Sequence, residues 1–522
     1  MTLTTQSGVP SGTDGTIAHT TATIRAVLHD LEQPCRIVRG TRGLGATSAA
    51  TDAQVLAAVP PLSPQMLGDS EFRRFHGVRS AYAAGSMANG ISSVSMVVAM
   101  SRAGYLASYG AAGVLPRRVD AALAELSATL GDSPYACNLI HSPSEPALED
   151  AIVDACLRHG VRCVEASAFM SLTPAILRYR LAGLHLGPDG VTPRHRLIAK
   201  VSRSEVAELF LRPAPPTMID ALVADGHITA EQGQWARRIP VADDITAEAD
   251  SGGHTDRRPL PVLLPDLIAT RDRVASEFPA AASVRVGAAG GLGTPTALAG
   301  AFAMGAAYVV TGSINQACVE ADQSATAKRF LGTADVSDVA MAASSDMFEM
   351  GVQVQVLRRG TMFAARANRL FEFYRDHDGI ESMPPETRRE IEETILRRPC
   401  DEVWAECVDY FTQRDPRQLA VAADDPKRRM ALIFRWYLGL SSGWAIRGDA
   451  ERVADYQIWC GPALGAFNRW VADTRLRDVG ERRVAEVAAE LMRGTAIVTR
   501  VAALRTAGVR LPGSVTAVRP QV

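Results

Sequence analysis

The sequence has few of the features that mark membrane, secreted or nucleic-acid-binding chains. Aromatic residues make up 6% of its 522 residues, and no apolar run reaches the length of a membrane span. The formal net charge is −2, which gives no indication of nucleic-acid binding. The first twenty residues are small and polar, so we expect no signal peptide, no membrane association and a cytoplasmic protein.

Motifs for metal binding are missing as well. The eight cysteines form no Cys-x-x-Cys pair and no zinc-finger spacing, which predicts buried free thiols. There is no His-Glu-x-x-His motif and no cluster of carboxylates, so the sequence predicts no metal site. Charged residues account for 21% and hydrophobic residues for 47% of the chain, as in an ordinary globular protein with room for several domains.

Short apolar segments alternate with amphipathic helical segments through the middle of the chain. The count of these units approaches eight, which favours a closed (β/α)8 TIM barrel over an open parallel sheet, and so an α/β fold class. A Pro-rich segment at 213–240 predicts a helical insertion. We predict four parts, namely a tail and small subdomain at 1–75, the barrel core at 76–316, a large helical addition at 317–480, and a C-terminal helix that returns to the barrel, with a tail, at 481–522.

The stretch 284–316 organises the rest of the chain. It reads as strand, glycine-rich loop, helix, strand and small polar loop, with Gly290 and Gly291 in the first loop and Gly312 and Ser313 in the second. Thr294 is a good N-cap for the intervening helix. Bare backbone N–H groups on two neighbouring loops and a helix N-terminus suit a phosphate group, and the loops after barrel strands seven and eight are the usual phosphate site.

A dinucleotide-binding Rossmann motif is the competing interpretation of the same glycines. Gly291 and Gly293 fit the first two positions of that motif, but position 296 is Thr, so the third glycine is missing. No acidic residue ends the following strand, where ribose binding requires one. We therefore reject the dinucleotide fold.

Further candidate residues lie where other predicted strands end. A loop of small residues at 84–87 would let a flat ring approach the backbone, and Asn138 and Lys200 lie at the ends of two strands. The double glycine in the 251–253 loop brings backbone close to a ligand and aims the His254 ring inward. Imidazole titrates near neutral pH, so His254 suits proton donation to a developing carbanion or enolate.

The motifs SGGH at 251–254, GAAGGLG at 287–293 and VVTGS at 309–313 resemble the nitronate monooxygenase and enoyl reductase superfamily of FMN-binding TIM barrels. Longer blocks at 310–321, 345–374, 431–445 and 455–471 resemble the trans-acting enoyl reductases of polyketide and polyunsaturated fatty acid synthases. The resemblance covers roughly residues 75–500.

This resemblance implies a role for each matching residue. It assigns the FMN phosphate to Gly290, Gly291, Gly312 and Ser313, the flavin ring to Ala84, Gly85, Ser86 and Met87, and contacts with the flavin or its ribityl chain to Asn138 and Lys200. The cofactor-binding set also includes Ser251, Gly252 and Gly253, and His254 takes the position of the superfamily's active-site histidine.

The implied reaction is reduction of an enoyl thioester on an acyl carrier protein, with hydride passing from NADPH through FMN. His254 is the first candidate for the acid, and water or another residue remains an alternative. An acidic carrier protein would dock on basic residues, for which Lys427, Arg428, Arg429, Arg358 and Arg359 are candidates, although such residues are more often solvated. A homodimer is possible. The rival hypotheses are nitronate oxidation on the same scaffold and a non-catalytic role in synthase assembly.

Overall fold

The computed structural model describes residues 17–142, 145–188, 190–254 and 256–521. Its centre is a closed barrel of eight parallel strands, which confirms the predicted TIM-barrel fold. Strands β1 to β8 are Tyr82–Ala84, Leu106–Tyr109, Ala136–Ile140, Cys163–Ser167, Arg196–Val201, Asp244–Glu248, Arg285–Ala289 and Val309–Thr311. The barrel closes where β8 pairs in parallel with β1, through Val309 and Tyr82.

Helices surround the barrel in alternation with its strands. They are Val94–Arg102, Pro116–Leu130, Pro146–Arg158, Pro174–Leu181, Ser204–Leu211, Leu260–Glu277 and Pro295–Ala303. Four of them begin with proline, whose missing N–H is harmless at a first helical position. Helix Val484–Thr506 takes the eighth place. Thr495 Oγ1 donates to the Pro295 carbonyl over 3.4 Å, so the last long helix packs against helix Pro295–Ala303.

Two small additions interrupt the repeat. Helices Pro216–Ala224 and Ala230–Ala236 form the predicted insertion before β6, and a hairpin of His185–Gly187 and Gly190–Thr192 precedes β5. The second inserted helix begins at a capping box, in which Thr229 and Gln232 satisfy each other's backbone N–H groups.

The N-terminal part is a three-stranded antiparallel sheet with short helices. Strand Cys35–Gly40 lies between Gly43–Thr47 and Gln54–Val59, and the flanking helices are Thr21–His29, Pro64–Met66 and Ser70–His76. Arg500, on the last long helix, is buried and donates to the carbonyls of Leu28, Asp30 and Pro60 at 3.0, 2.7 and 2.8 Å. The C-terminal helix therefore fastens this sheet to the barrel.

The region after β8 is mostly helical, as predicted, but it also contains strands that the sequence analysis missed. Val339–Ala343 and Gln353–Leu357 pair in an antiparallel manner, and Gly253–His254 joins them as a third strand. In Gln353–Leu357, Val354 and Val356 are buried. This alternation of valine and glutamine is typical of a strand, but it is too short to stand out between helical segments.

Three helices of this region begin with a proline, at Pro385, Pro416 and Pro426. The helices of this region are Ala325–Thr333, Phe363–Asp376, Pro385–Glu390, Ile391–Leu396, Cys400–Arg414, Pro416–Asp424, Pro426–Arg447, Ala463–Val471 and Gly513–Thr516, with short turns at Asn315–Ala317, Phe348–Met350, Ile380–Ser382, Ala450–Asp455, Arg475–Arg477 and Val479–Glu481. A further short turn, Pro279–Ser283, precedes β7. One continuous buried core joins them to the barrel, so the four-part division of the chain stays a prediction.

The cysteines and helices bear on two further expectations. All eight cysteines are buried free thiols, as predicted. Among the residues described here, no helix combines the length and the apolar composition that a bilayer crossing requires.

Candidate active site

The predicted site residues share one rim of the barrel, where the carboxyl ends of its strands meet. Ala84 ends β1 and is followed by Gly85, Ser86 and Met87. Asn138 lies in β3 and Lys200 in β5, while the other candidates follow β6, β7 and β8. Helix Pro426–Arg447 lies beside the loop after β1, where Asn89 Nδ2 donates to Ser442 Oγ over 3.2 Å.

A largely buried charged network crosses the rim from β1 to β6. Lys200 Nζ lies 3.1 Å from Glu248 and 3.5 Å from Glu165, and Ser86 Oγ donates to Glu165 over 2.6 Å. Burial opposes the charge on Lys200, but the two carboxylates outweigh it and raise its pKa. Asn138 donates from Nδ2 to the Glu165 carbonyl over 3.0 Å. Three predicted site residues thus contact Glu165. Ser86 and Lys200 contact its carboxylate, and Asn138 contacts its backbone carbonyl.

The two glycine loops leave open space at their tips. A Cβ atom built on Gly291 or on Gly312 would meet nothing within 4 Å. Gly290 has a φ of +87°, and a Cβ there would lie 2.6 Å from the Ala249 carbonyl, so only glycine fits. The Thr294 side chain accepts the Ala297 N–H and caps the following helix, as predicted. This arrangement leaves a cradle of open space beside a helix N-terminus, which suits an anionic group.

A loop from the C-terminal region, residues 459–463, completes this cradle. The Gly461 N–H donates to Ser313 Oγ over 3.0 Å. A Cβ on Gly252 would lie 2.8 Å from Cys460 N, and one on Gly293 would lie 2.2 Å from the Ala463 carbonyl oxygen. The 459–463 loop is therefore in tight contact with the loops after β6, β7 and β8.

Two buried polar atoms near this loop, Ser251 Oγ and Gln355 Oε1, have no hydrogen-bond partner among the residues that the structure describes. A Cβ on Gly461 would lie 3.1 Å from Gln355 Oε1 and 3.4 Å from the Ser251 carbonyl carbon, so both residues border the 459–463 loop. Buried polar atoms normally find partners. These two atoms and the open glycine loops fit a bound molecule that carries a phosphate and further polar groups, as FMN does.

His254 lies at the edge of this site, on the short strand that pairs with Gln353–Leu357. Its Nε2 lies 3.0 Å from Asp346 Oδ1 and 3.1 Å from Ser344 Oγ, and its side chain is 40% exposed. Burial lowers the pKa of His254, but the hydrogen bond and charge of Asp346, with a smaller effect of Glu248, outweigh burial and raise it. The Asp346 pKa falls to about 2 against opposing burial, because His254 and Ser344 stabilise the carboxylate.

Two family models match parts of the chain. One, described as the fatty acid synthase subunit PfaD N-terminal domain, matches residues 11–61. The other, described as the inserted helical domain of [acyl-carrier-protein] S-malonyltransferase, matches residues 377–456.

One solved structure matches the chain over nearly the whole length of the solved domain. The enoyl reductase domain of MlnA, from the macrolactin biosynthesis cluster of Bacillus amyloliquefaciens, is 36% identical with a TM-score of 0.81, and the match covers 85% of this chain and 99% of that domain. The chain belongs to the enoyl reductase family of polyketide and polyunsaturated fatty acid synthases.

Two curated relatives are longer than the chain. A polyunsaturated fatty acid synthase protein of Thraustochytrium sp. is 48% identical over 86% of this chain and 30% of its own length. Polyketide biosynthesis protein PksE of Bacillus subtilis is 42% identical over 84% of this chain and 57% of PksE. The chain thus spans less than two thirds of the length of either relative.

The basic residues expected to dock a carrier protein are largely engaged in ion pairs within the chain. Lys427 lies 3.8 Å from Asp378, and Arg429 lies 3.3 Å from Asp401. Arg428 pairs with Glu349, and Arg359 pairs with Asp338. Most of this charge is balanced locally, which weakens the case for these residues as a docking patch.

Several residues of the site were missed by the sequence analysis. Glu165 carried a signal, since it is an acidic residue in an otherwise small or apolar strand, and Glu248 ends its strand with a carboxylate at the rim. No sequence signal marked Asp346, Ser344 or Gly461, because these residues come to the site from a distant part of the chain. Among the described residues, no group of three or more potential ligand side chains is arranged to hold a metal ion.

Proposed function

We propose that the chain reduces the α,β-double bond of enoyl thioesters carried by acyl carrier proteins, in polyketide or polyunsaturated fatty acid biosynthesis. The observation that carries this proposal is the pair of open glycine loops after β7 and β8, beside a histidine and a buried charged network. Family membership supports the same reaction class.

The cofactor we propose is FMN, with NADPH as hydride donor. Gly290, Gly291, Gly312 and Ser313 would hold its phosphate, and the flavin would lie against the 84–87 and 251–253 loops, within reach of Asn138 and Lys200. When bound, FMN would supply hydride transfer from NADPH to the β carbon of the thioester. The unpartnered Ser251 Oγ is available to donate a hydrogen bond to a polar group of the cofactor.

Protonation of the α carbon is the step that a residue of the chain itself would carry out. Hydride addition at the β carbon leaves negative charge on the thioester enolate, which a nearby cationic donor stabilises. His254 suits this role, since Asp346 and Glu248 favour its protonated form. The proton would pass to the α carbon, and the partly exposed ring would regain a proton from solvent.

The test is a product assay with matched variants. FMN-loaded protein, NADPH and a crotonyl thioester on an acyl carrier protein should give a butyryl thioester, seen as a mass gain of about two daltons. Gly312→Val should remove FMN and activity without unfolding the chain, because its side chain enters open space. Gly300→Val, on an exposed helical position that is equally open, is the matched control and should retain FMN.

Two results would overturn the proposal. One is FMN-loaded protein that leaves every enoyl thioester unchanged but oxidises nitronates with oxygen, which would indicate nitronate monooxygenase chemistry. The other is wild-type protein that binds no FMN, which would favour a non-catalytic role in synthase assembly.

A further inference from the structure

A segment of the C-terminal region lies directly against the His254 ring. Asp346 Oδ1 and Ser344 Oγ are 3.0 and 3.1 Å from His254 Nε2, and both side chains contact the same ring nitrogen. The Ser344 hydroxyl also donates to Asp346 Oδ1. A carboxylate only accepts hydrogen bonds, so Nε2 carries a hydrogen in this arrangement.

The backbone fixes this contact from both sides. Gly253 and His254 pair with Gln355 and Val354, and strand Val339–Ala343 on the far side of the same sheet runs directly into Ser344. Ser344 is buried, and its N–H donates to the Val352 carbonyl over 2.9 Å. The ring and its two partners are therefore mounted on one antiparallel sheet outside the barrel.

We propose that Asp346 is a positioning residue for proton transfer: it holds Nε2 of His254 and so assigns Nδ1 as the atom that gives its proton to the substrate. This inference rests on the proposed function. In the step, the Nδ1–H bond breaks and a C–H bond forms at the α carbon, whose electrons come from the enolate. The ring is left neutral with its hydrogen on Nε2, facing Asp346.

The charges around the ring agree with this assignment. Asp346 faces it from the 344–350 segment and Glu248 from β6, while the paired strand contributes the apolar Val354. Lys200 is already shared between Glu248 and Glu165, which limits its repulsion of a cationic ring. The two carboxylates favour the imidazolium, and its raised pKa follows. Asp346 therefore both orients the ring and favours its protonated form.

The experiment measures the His254 titration directly, by NMR of histidine-labelled protein with and without FMN, the signal being assigned with His254→Gln. Asp346→Asn keeps the shape of the side chain and removes its charge. The titration midpoint of His254 should fall by about one pH unit, and the alkaline limb of the kcat profile should move by the same amount. Asp346→Glu should restore both in part.

Asp378→Asn is the matched control, because Asp378 is a 97% exposed carboxylate of the same region; it should move neither quantity. An unchanged His254 midpoint in Asp346→Asn would overturn the inference, as would a loss of kcat that is equal at every pH. A wild-type protein that reduces no enoyl thioester would reject the proposed function and with it the proton transfer. The shift of the His254 titration midpoint is measured without turnover. It therefore separates a failure of the proposed function from a failure of the Asp346 contact.

Discussion

Gly461 donates its backbone N–H to Ser313 Oγ over 3.0 Å, across 148 residues of sequence. The bond joins the 459–463 loop to the loop after β8. Because the Ser313 oxygen accepts this bond, its own hydrogen stays available for an anionic oxygen. The C-terminal region is thus part of the candidate cofactor site, in addition to covering the barrel.

Gly252→Ala should weaken FMN binding by about tenfold, which corresponds to about 1.4 kcal/mol. The new methyl group would lie 2.8 Å from Cys460 N and would push the 459–463 loop away from Ser313. Flavin fluorescence titration of the FMN-free protein measures the affinity. Gly439→Ala, on an exposed helix position with nothing within 4 Å, is the control. Equal affinities in the two variants would contradict a role for this contact.

Lys200→Met should lower the free energy of unfolding by about 3–5 kcal/mol, because it leaves Glu165 and Glu248 without their buried counter-charge. Thermal unfolding measures the loss. Lys427→Met removes a more exposed ion pair and should cost less than about 1 kcal/mol. Similar losses in the two variants would show that the network is unimportant for stability.

Arg500→Met should detach the N-terminal sheet. It leaves the carbonyls of Leu28, Asp30 and Pro60 without their donor, at a cost of about 3–5 kcal/mol. Limited proteolysis should then cut within residues 17–60 before the barrel is attacked. Arg505→Met, at an exposed position on the same helix, is the control and should leave the cleavage pattern unchanged. Early cleavage in Arg505→Met as well would show that the effect is not specific to Arg500.

His29 should make the chain less stable in mild acid. Burial, with the charges of Arg25 and Arg493, lowers its pKa from 6.5 to about 4. The unfolded chain binds a proton at the ordinary pKa while the folded chain resists it, so stability falls as pH drops from about 6.5 to about 4. His29→Phe should flatten this part of the melting-temperature profile, whereas His185→Asn, at an exposed position, should not. An unchanged slope in His29→Phe would contradict this explanation.

The barrel and most of the rim could be predicted because their signals are local. Strand Ala136–Ile140 is a short apolar run, and helix Pro116–Leu130 begins at a helix-initiating proline, so each element is marked by residues that lie close together in the sequence. The glycine loops were recognisable for the same reason. The roles assigned to the site residues stay predictions.

The contacts that complete the site could not be predicted. His254 meets Asp346 across 92 residues, and Ser313 meets Gly461 across 148; hydrophobic periodicity carries no information on which distant segments pair. The sheet that holds His254 was missed with them, because a strand as short as Gln353–Leu357 gains its stability from its partners and not from its own sequence.

An anaerobic single turnover tests the central claim most directly. FMN-loaded protein is reduced with one equivalent of NADPH, and a crotonyl thioester on an acyl carrier protein is then added. We predict that the flavin absorption returns without oxygen while the acyl group gains about two daltons. A flavin that stays reduced until oxygen or a nitroalkane is admitted would contradict the enoyl reductase function.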